Sequence, residues 1–284
     1  MHEKVNSIDK VLTANYYLAV GDRMLPYIKG RRLSLVMCPK YRPNCFFRKN
    51  IKDDVPLPPI ETVEDILAHV KNYTVEFHVG GEAGQGAQEL CGRQGHSCAG
   101  CQLDMMVFDL DPDEGLGLTE VRQGVRDLKS ILDELGLVSF LKTSGNKGYH
   151  ILVPIVPVED WDIVGAFAKN VAIVMEQKWP NRYTSNVRKT NRRGKIFIDW
   201  IRNSRGATSI VPYSMRVKGT GVSVPDGDAK SNTKSGSTVS APIAWDELGE
   251  IAPNGITMEI AVKRLKKPNP WNDFFETGLK QRIK

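Results

Sequence analysis

The run Met105-Met-Val-Phe-Asp109-Leu-Asp111 is apolar and ends in two carboxylates one residue apart. A strand alternates its faces, so Asp109 and Asp111 share one side while Leu110 turns into the core. Two like charges so placed repel unless a cation sits between them, and oxygen donors suit Mg²⁺ or Mn²⁺. The pair alone also fits two solvated acids on a surface strand. A second apolar run, Lys195-Ile-Phe-Ile-Asp199-Trp-Ile, ends in a lone acid. With it, the three carboxylates suit phosphoryl transfer, where paired cations clamp the attacking and leaving oxygens.

Between two apolar segments, Thr143-Ser144-Gly145-Asn146-Lys147-Gly148 reads as a small-residue turn that could cradle phosphate. Its glycines let backbone N–H groups approach an anion, Ser144 offers a hydroxyl and Lys147 a charge. It lacks the Gly-Lys-Ser/Thr ending of a P-loop. His150 follows, as a strand residue or a ligand, and Arg216 reads on spacing alone as a salt-bridge arginine. Three of the 5 cysteines gather in Cys91-Gly-Arg-Gln-Gly-His96-Ser-Cys98-Ala-Gly-Cys101. Cysteine, histidine and a Cys-x2-Cys pair supply four zinc ligands, and the glycines allow tight turns. The alternative is a flexible loop of reduced cysteines, with Cys38 or Cys45 replacing His96 as a ligand. Those two could equally be buried apolar fillers, and metal binding is expected here over disulfides.

The elements that would position these groups follow from periodicity. Helices are expected over 6–28, from Val63 behind a Thr62 cap, over 119–135, 160–178 and 256–264. Strands are expected over 32–37, 45–47, 74–79, 137–142, 149–155 and 207–211, with 199–203 closing the Asp199 strand. Residues 219–240 are rich in Gly, Ser, Asp, Thr and Lys and read as a mobile loop. Trp271, Phe274 and Phe275 are expected to dock onto the body. The alternation of strands and helices, with hairpin-like connections, indicates an α+β fold around a mainly antiparallel central sheet flanked by helices. Residues 1–284 read as a single domain, with 91–101 as an insert.

Net charge is +6 and favours polyanionic partners, while the 41% hydrophobic fraction suits a sizeable core. Basic residues concentrate at 29–32, 188–195 and 263–267, and the middle run leads into the Asp199 strand. No apolar run reaches membrane-spanning length and the N-terminus is no signal peptide, so a cytoplasmic protein without a membrane partner is expected.

Asp109-Leu-Asp111-Pro, Lys142-Thr-Ser-Gly-Asn-Lys-Gly-Tyr-His150 and the segment from Phe197-Ile-Asp199 to Pro212-Tyr-Ser-Met-Arg216 together resemble the polymerase domain of bacterial DNA ligase D. That family belongs to the archaeo-eukaryotic primase superfamily. The likeness extends to Ile8-Asp-Lys10, Met24–Val36, Phe46–Lys49 and Pro242–Glu247. It implies a primase-like fold and a template-directed polymerase that extends primers and fills gaps in non-homologous end joining, favouring ribonucleotides. By the same resemblance, Asp109, Asp111 and Asp199 would hold two Mn²⁺ or Mg²⁺ ions. His78, Ser144, Lys147, Arg192 and Arg216 would bind the nucleoside triphosphate. Lys10 and Lys49 would meet DNA, including the 5′-phosphate of a gap, and a Ku-like protein and a separate ligase would be partners.

Three departures stand out. The segment after Lys10 is shorter than in the family, Val79-Gly80-Gly81 replaces an aromatic after His78, and no ligase or nuclease region is attached. The last points to a stand-alone polymerase. Haloacid dehalogenase phosphatases share Asp-Leu-Asp, but Asp113 stands where they need Thr or Val. A replicative-type primase and a non-catalytic module bridging DNA ends are the remaining alternatives.

Overall fold

The computed structural model describes residues 8–41, 45–49, 57–83, 102–217 and 237–283. Helix α1 (Lys10–Met24) starts behind Asp9, whose carboxylate accepts from the Leu12 N–H, and gives way to a 3-10 turn at Leu25–Tyr27. It is shorter than the apolar periodicity suggests. The side-chain cap fixes its start, and Pro26 lacks the N–H that another α-helical bond would need. Helix α2 (Val63–Lys71) begins at Thr62, which forms a capping box with Asp65. The later helices are α3 (Leu118–Glu134), α4 (Trp161–Lys178), α5 (Met258–Arg264) and α6 (Phe274–Gly278).

The strands are β1 (Leu33–Met37), β2 (Phe46–Lys49), β3 (Thr74–Val79), β4 (Gln102–Pro112), β5 (Phe140–Thr143), β6 (Tyr149–Asp160), β7 (Tyr183–Thr184), β8 (Ile196–Asp199), β9 (Ser209–Ile210) and β10 (Pro242–Ile243). They form not one sheet but two. One has the order β2-β1-β3-β9, the other β10-β5-β6-β4-β8-β7. Every pairing is antiparallel except β7 with β8. Strands β7 and β10 span two residues each, too short for a period-two pattern to reveal them.

Helix α1 packs on the four-stranded sheet. Tyr17 meets Phe77 edge-on at 5.1 Å and donates from its hydroxyl to the Val75 carbonyl. Helix α3 packs on the six-stranded sheet, where Gly124 permits close approach. A Cβ there would lie 3.1 Å from both Leu110 and Ile196. The C-terminal aromatics dock as expected. Trp271 is buried against Tyr27, Phe140 and Phe274, with its indole N–H donating to the Leu141 carbonyl.

Three expectations are corrected. Residues 200–203 are not strand but a 3-10 turn, with the Asp199 carboxylate accepting from the Ile201 N–H. Thr238–Ser240 are not part of a loose loop. They are buried, and Val239 bridges to Met215. Cys38 and Cys45 are neither apolar fillers nor zinc ligands but a disulfide. The β1–β2 register pairs Met37 with Phe46, so the flanking cysteines extend the ladder with Cα atoms 4.1 Å apart. Cys91, His96, Cys98 and Cys101 lie outside the described residues, as do 219–236 of the predicted loop.

Candidate active site

Asp109 on β4 stands opposite Asp199 on β8 and, across its other edge, opposite His150 on β6. His150 in turn stands opposite Lys142 on β5. Partners across a ladder share a face. Lys142, His150, Asp109 and Asp199 therefore stand abreast, with Asp111 two residues along. Helix α3 covers the other face through Leu110 and Ile196, so the acids point toward the four-stranded sheet. Asn203 fixes the turn after Asp199: its side-chain carbonyl accepts from the Val107 N–H and its amide donates to the Val107 carbonyl.

The carboxylates are electrostatically strained. Asp111 is open at its tip, but partial burial and the Asp109 charge raise its pKa, against Arg192 and Lys147. Burial raises Asp199 too, Arg202 opposing and Asp109 adding to the shift. Arg202 lies between the opposed acids, its Nη2 donating to Asp109 Oδ2 at 3.1 Å and its Nε 3.1 Å from Asp199 Oδ2. Arg192 Nη1 lies 3.6 Å from Asp111 Oδ2, and its guanidinium stacks 3.6 Å over the Phe197 ring. Among the described residues no three or more His, Cys, Asp or Glu converge as a metal-binding group. The oxygen donor set and the raised carboxyls fit a hard divalent cation. The acids, as placed, are spaced around arginines.

The turn between β5 and β6 abuts this row. Gly145 has φ +73°, and a Cβ there would lie 2.7 Å from Arg216 Cγ. A Cβ at Gly148 would run into the Leu110 carbonyl oxygen. Ser144 is buried with its hydroxyl accepting from the Asn146 N–H, and Lys147 is half-buried within electrostatic reach of Asp111. Facing the turn from β3, His78 Nε2 lies 3.0 Å from Glu76 Oε2, to which Arg216 Nη1 donates at 3.1 Å. Burial works against the Glu76 charge, but the His78 hydrogen bond and the Arg216 charge hold its carboxyl below the usual range. Burial lowers His78, with Glu76 opposing.

His150 is buried with Nε2 3.5 Å from Asp109 Oδ1. Burial, joined by the Lys142, Arg216 and Arg202 charges, pushes its pKa well down, which favours the neutral imidazole beside Asp109. Lys142 is fully buried. Its amine donates to the Ile210 carbonyl and the Ser240 hydroxyl, tying the two sheets together, and burial with the Arg216 charge pushes its pKa well down.

The structure thus brings Asp109, Asp111, Asp199, His78, Ser144, Lys147, Arg192 and Arg216 into one neighbourhood where the two sheets meet. Lys10 is exposed at the start of α1, and Lys49 is exposed at the end of edge strand β2 with its ammonium 6.0 Å from the Phe47 ring. Sequence reasoning missed Arg202, Glu76, Lys142 and Asn203. Arg202 was hidden because apolar Trp200 and Ile201 read as strand, whereas the 3-10 turn there returns its side chain to the acids.

A family model described as "LigD, primase-polymerase domain" matches residues 9–227. The chain is 30% identical to the multifunctional non-homologous end joining protein LigD of Pseudomonas aeruginosa, over 96% of this chain and 31% of that protein. It is 26% identical to the bifunctional LigD of Bacillus subtilis, over 92% of this chain and 40% of that protein. The chain therefore spans well under half of these relatives' length. Among solved structures, the polymerase domain of Mycobacterium tuberculosis ligase D in complex with DNA matches with TM-score 0.75 and 25% identity, over 96% of this chain and 93% of that one.

Proposed function

This chain belongs to the LigD primase-polymerase family, and from that premise we propose that it is a template-directed nucleotidyltransferase acting at broken DNA ends. It extends primers and fills gaps, with a preference for ribonucleotides, in non-homologous end joining. The observation that carries the reading is the strand register that sets Asp109 against Asp199, with Asp111 on the same face beside the Ser144–Lys147 turn. Asp109, Asp111 and Asp199 would hold two Mn²⁺ or Mg²⁺ ions, which when bound lower the pKa of a primer 3′-hydroxyl and neutralise a departing pyrophosphate.

The remaining roles belong to the chain's own side chains. Ser144 and Lys147 grip the triphosphate from the turn, His78 grips it from the facing sheet and Arg216 from the segment after β9. Arg192, rigidified on Phe197, orients the nucleotide and primer end. Lys10 and Lys49 contact the DNA backbone, where a terminal 5′-phosphate offers more charge than an internal linkage. Cys91, His96, Cys98 and Cys101 would supply the four ligands of a structural zinc ion. The reaction is cytoplasmic, with a Ku-like protein and a ligase as partners. Among the described residues no helix is long and apolar enough to cross a membrane.

Primer extension on a gapped duplex with ribonucleotides or deoxyribonucleotides and Mn²⁺ tests the reading. Templated addition by wild type that vanishes in Asp109→Ala is expected. Binding of DNA without addition by either protein would leave an end-binding module instead. Atomic emission after dialysis should find one zinc per chain, lost on Cys98→Ser.

A further inference from the structure

We propose that Arg202 is an internal counter-cation occupying the position between Asp109 and Asp199 that a divalent metal must take, so that metal binds only by displacing it. The inference rests on the reading of these acids as metal ligands. Opposed like charges on a ladder destabilise it, and here one guanidinium answers both. Its Nη2 donates to Asp109 Oδ2, its Nε lies 3.1 Å from Asp199 Oδ2, and its Nη1 donates to the Thr208 carbonyl at 3.1 Å. The third contact anchors the side chain from the flank, on backbone that a metal would not touch.

Two features make the arrangement displaceable. The Asp199 contact has ion-pair distance, yet Arg202 Nε makes no hydrogen bond; charge rather than directed bonding holds that side. The Arg202 side chain is also 38% exposed although its Nε is buried, so the pairing is partly screened. The oxygens that Arg202 engages, Oδ2 of Asp109 and Oδ2 of Asp199, belong to the carboxylates that would ligate the metal. Arg192 stands in the looser relation to Asp111, at 3.6 Å.

Arg202 is therefore a positioning residue. It keeps the two acids in place and halves their net charge before metal arrives, at the expense of metal affinity. A purely structural anchor would act with the opposite sign, because its loss would loosen the acids and weaken metal binding.

The test is Mn²⁺ titration of the metal-free protein, reading free Mn²⁺ by electron paramagnetic resonance, for wild type, Arg202→Gln, Arg202→Lys and Asp109→Asn. Arg202→Gln should bind Mn²⁺ at the Asp109-dependent site about tenfold tighter than wild type, a change of one competing ion pair. Its melting temperature should be lower without metal and rise further on adding Mn²⁺. Arg202→Lys, which keeps the charge but cannot span both carboxylates, should fall between, and it decides the matter if the glutamine variant gives no cooperative melt. An Asp109-dependent site of equal or weaker affinity in the Arg202 variants would overturn the inference and leave the metal reading standing. Wild type and Arg202→Gln binding no better than Asp109→Asn would remove both.

Discussion

In the four-stranded sheet Glu76 is held below the usual carboxylate range by His78 and Arg216, whereas in the six-stranded sheet Asp111 and Asp199 are held above it. The two groups lie on neighbouring sheets, yet only the first is balanced within the chain. Glu76 also accepts from the Val217 N–H, so its charge has a hydrogen-bond partner on either oxygen. Asp109, Asp111 and Asp199 have two arginines for three carboxylates and repel one another. A satisfied cluster is a brace, and a strained one is poised for a ligand. The brace still serves the site, because it fixes His78 and Arg216 where the triphosphate is proposed to lie.

This contrast breaks most visibly with paired isosteric variants. Asp199→Asn should lower templated addition by at least about 10³-fold, as expected for a ligand of catalytic metal, while melting within about 1 kcal/mol of wild type in metal-free buffer. The amide still accepts from the Ile201 N–H, and a repelling charge is gone. Glu76→Gln should do the reverse to stability. It leaves Arg216 and His78 beside a neutral group in a buried setting and should cost about 3 kcal/mol in urea unfolding. Equal stability losses in the two variants would erase the distinction between brace and ligand site.

How far the sequence reaches follows the same division. Asp109, Asp111 and Asp199 are legible because strand alternation fixes their side within each run, and the turn after Thr143 is legible from its glycines. The partners of those residues are not. Glu76 meets Arg216 across 140 positions, a pairing that exists only once β3 and the segment after β9 are assembled. Arg202 depends on a 3-10 turn that apolar Trp200 and Ile201 disguise as strand. The Cys38–Cys45 bond needed the hairpin register, and the burial of Thr238–Ser240 was hidden by polar composition. Here those side chains hydrogen-bond the cradle, with Thr238 donating to the Gly145 carbonyl. Local pattern reveals which face a residue takes, but not which distant charge answers it.

A pH series sharpens the comparison through sign. Burial holds His78 below its ordinary 6.5, so the unfolded chain takes up its proton first. The associated stability is present above about pH 6.5 and is lost as pH falls through the folded value. His69 and His150 are shifted the same way, also chiefly by burial, and Glu76 adds to the loss at lower pH. Asp111 and Asp199 act oppositely, since the folded protein protonates them before the unfolded chain does. Metal-free melting should therefore worsen from pH 7 to pH 5, and His78→Gln should remove about 1 kcal/mol per pH unit of that slope. An unchanged slope would mean that His78 is charged in the fold and the brace is differently balanced.

The smallest expected effect lies at the outer edge of the brace sheet, where β2 exposes Phe46, Phe47 and Lys49. Among the described residues Lys49 meets only the Phe47 ring, at 6.0 Å, so its removal should leave both acid clusters unmoved. Its proposed partner is a phosphate of the DNA. One lost phosphate contact weakens binding about uniformly across sequences and lowers the salt slope by about one unit. Lys49→Ala should therefore bind a gapped duplex several-fold more weakly near 0.15 M salt, with log affinity less steep against log salt. At saturating DNA its rate of addition and its melting temperature should match wild type, because neither the acids nor the Glu76 cluster touches this side chain. A reduced rate at saturation would instead couple the edge strand to the reacting end through Phe47, which lies 5.4 Å from the His78 ring. The salt slope separates these outcomes: a phosphate contact changes it, and a shift relayed through Phe47 to His78 does not.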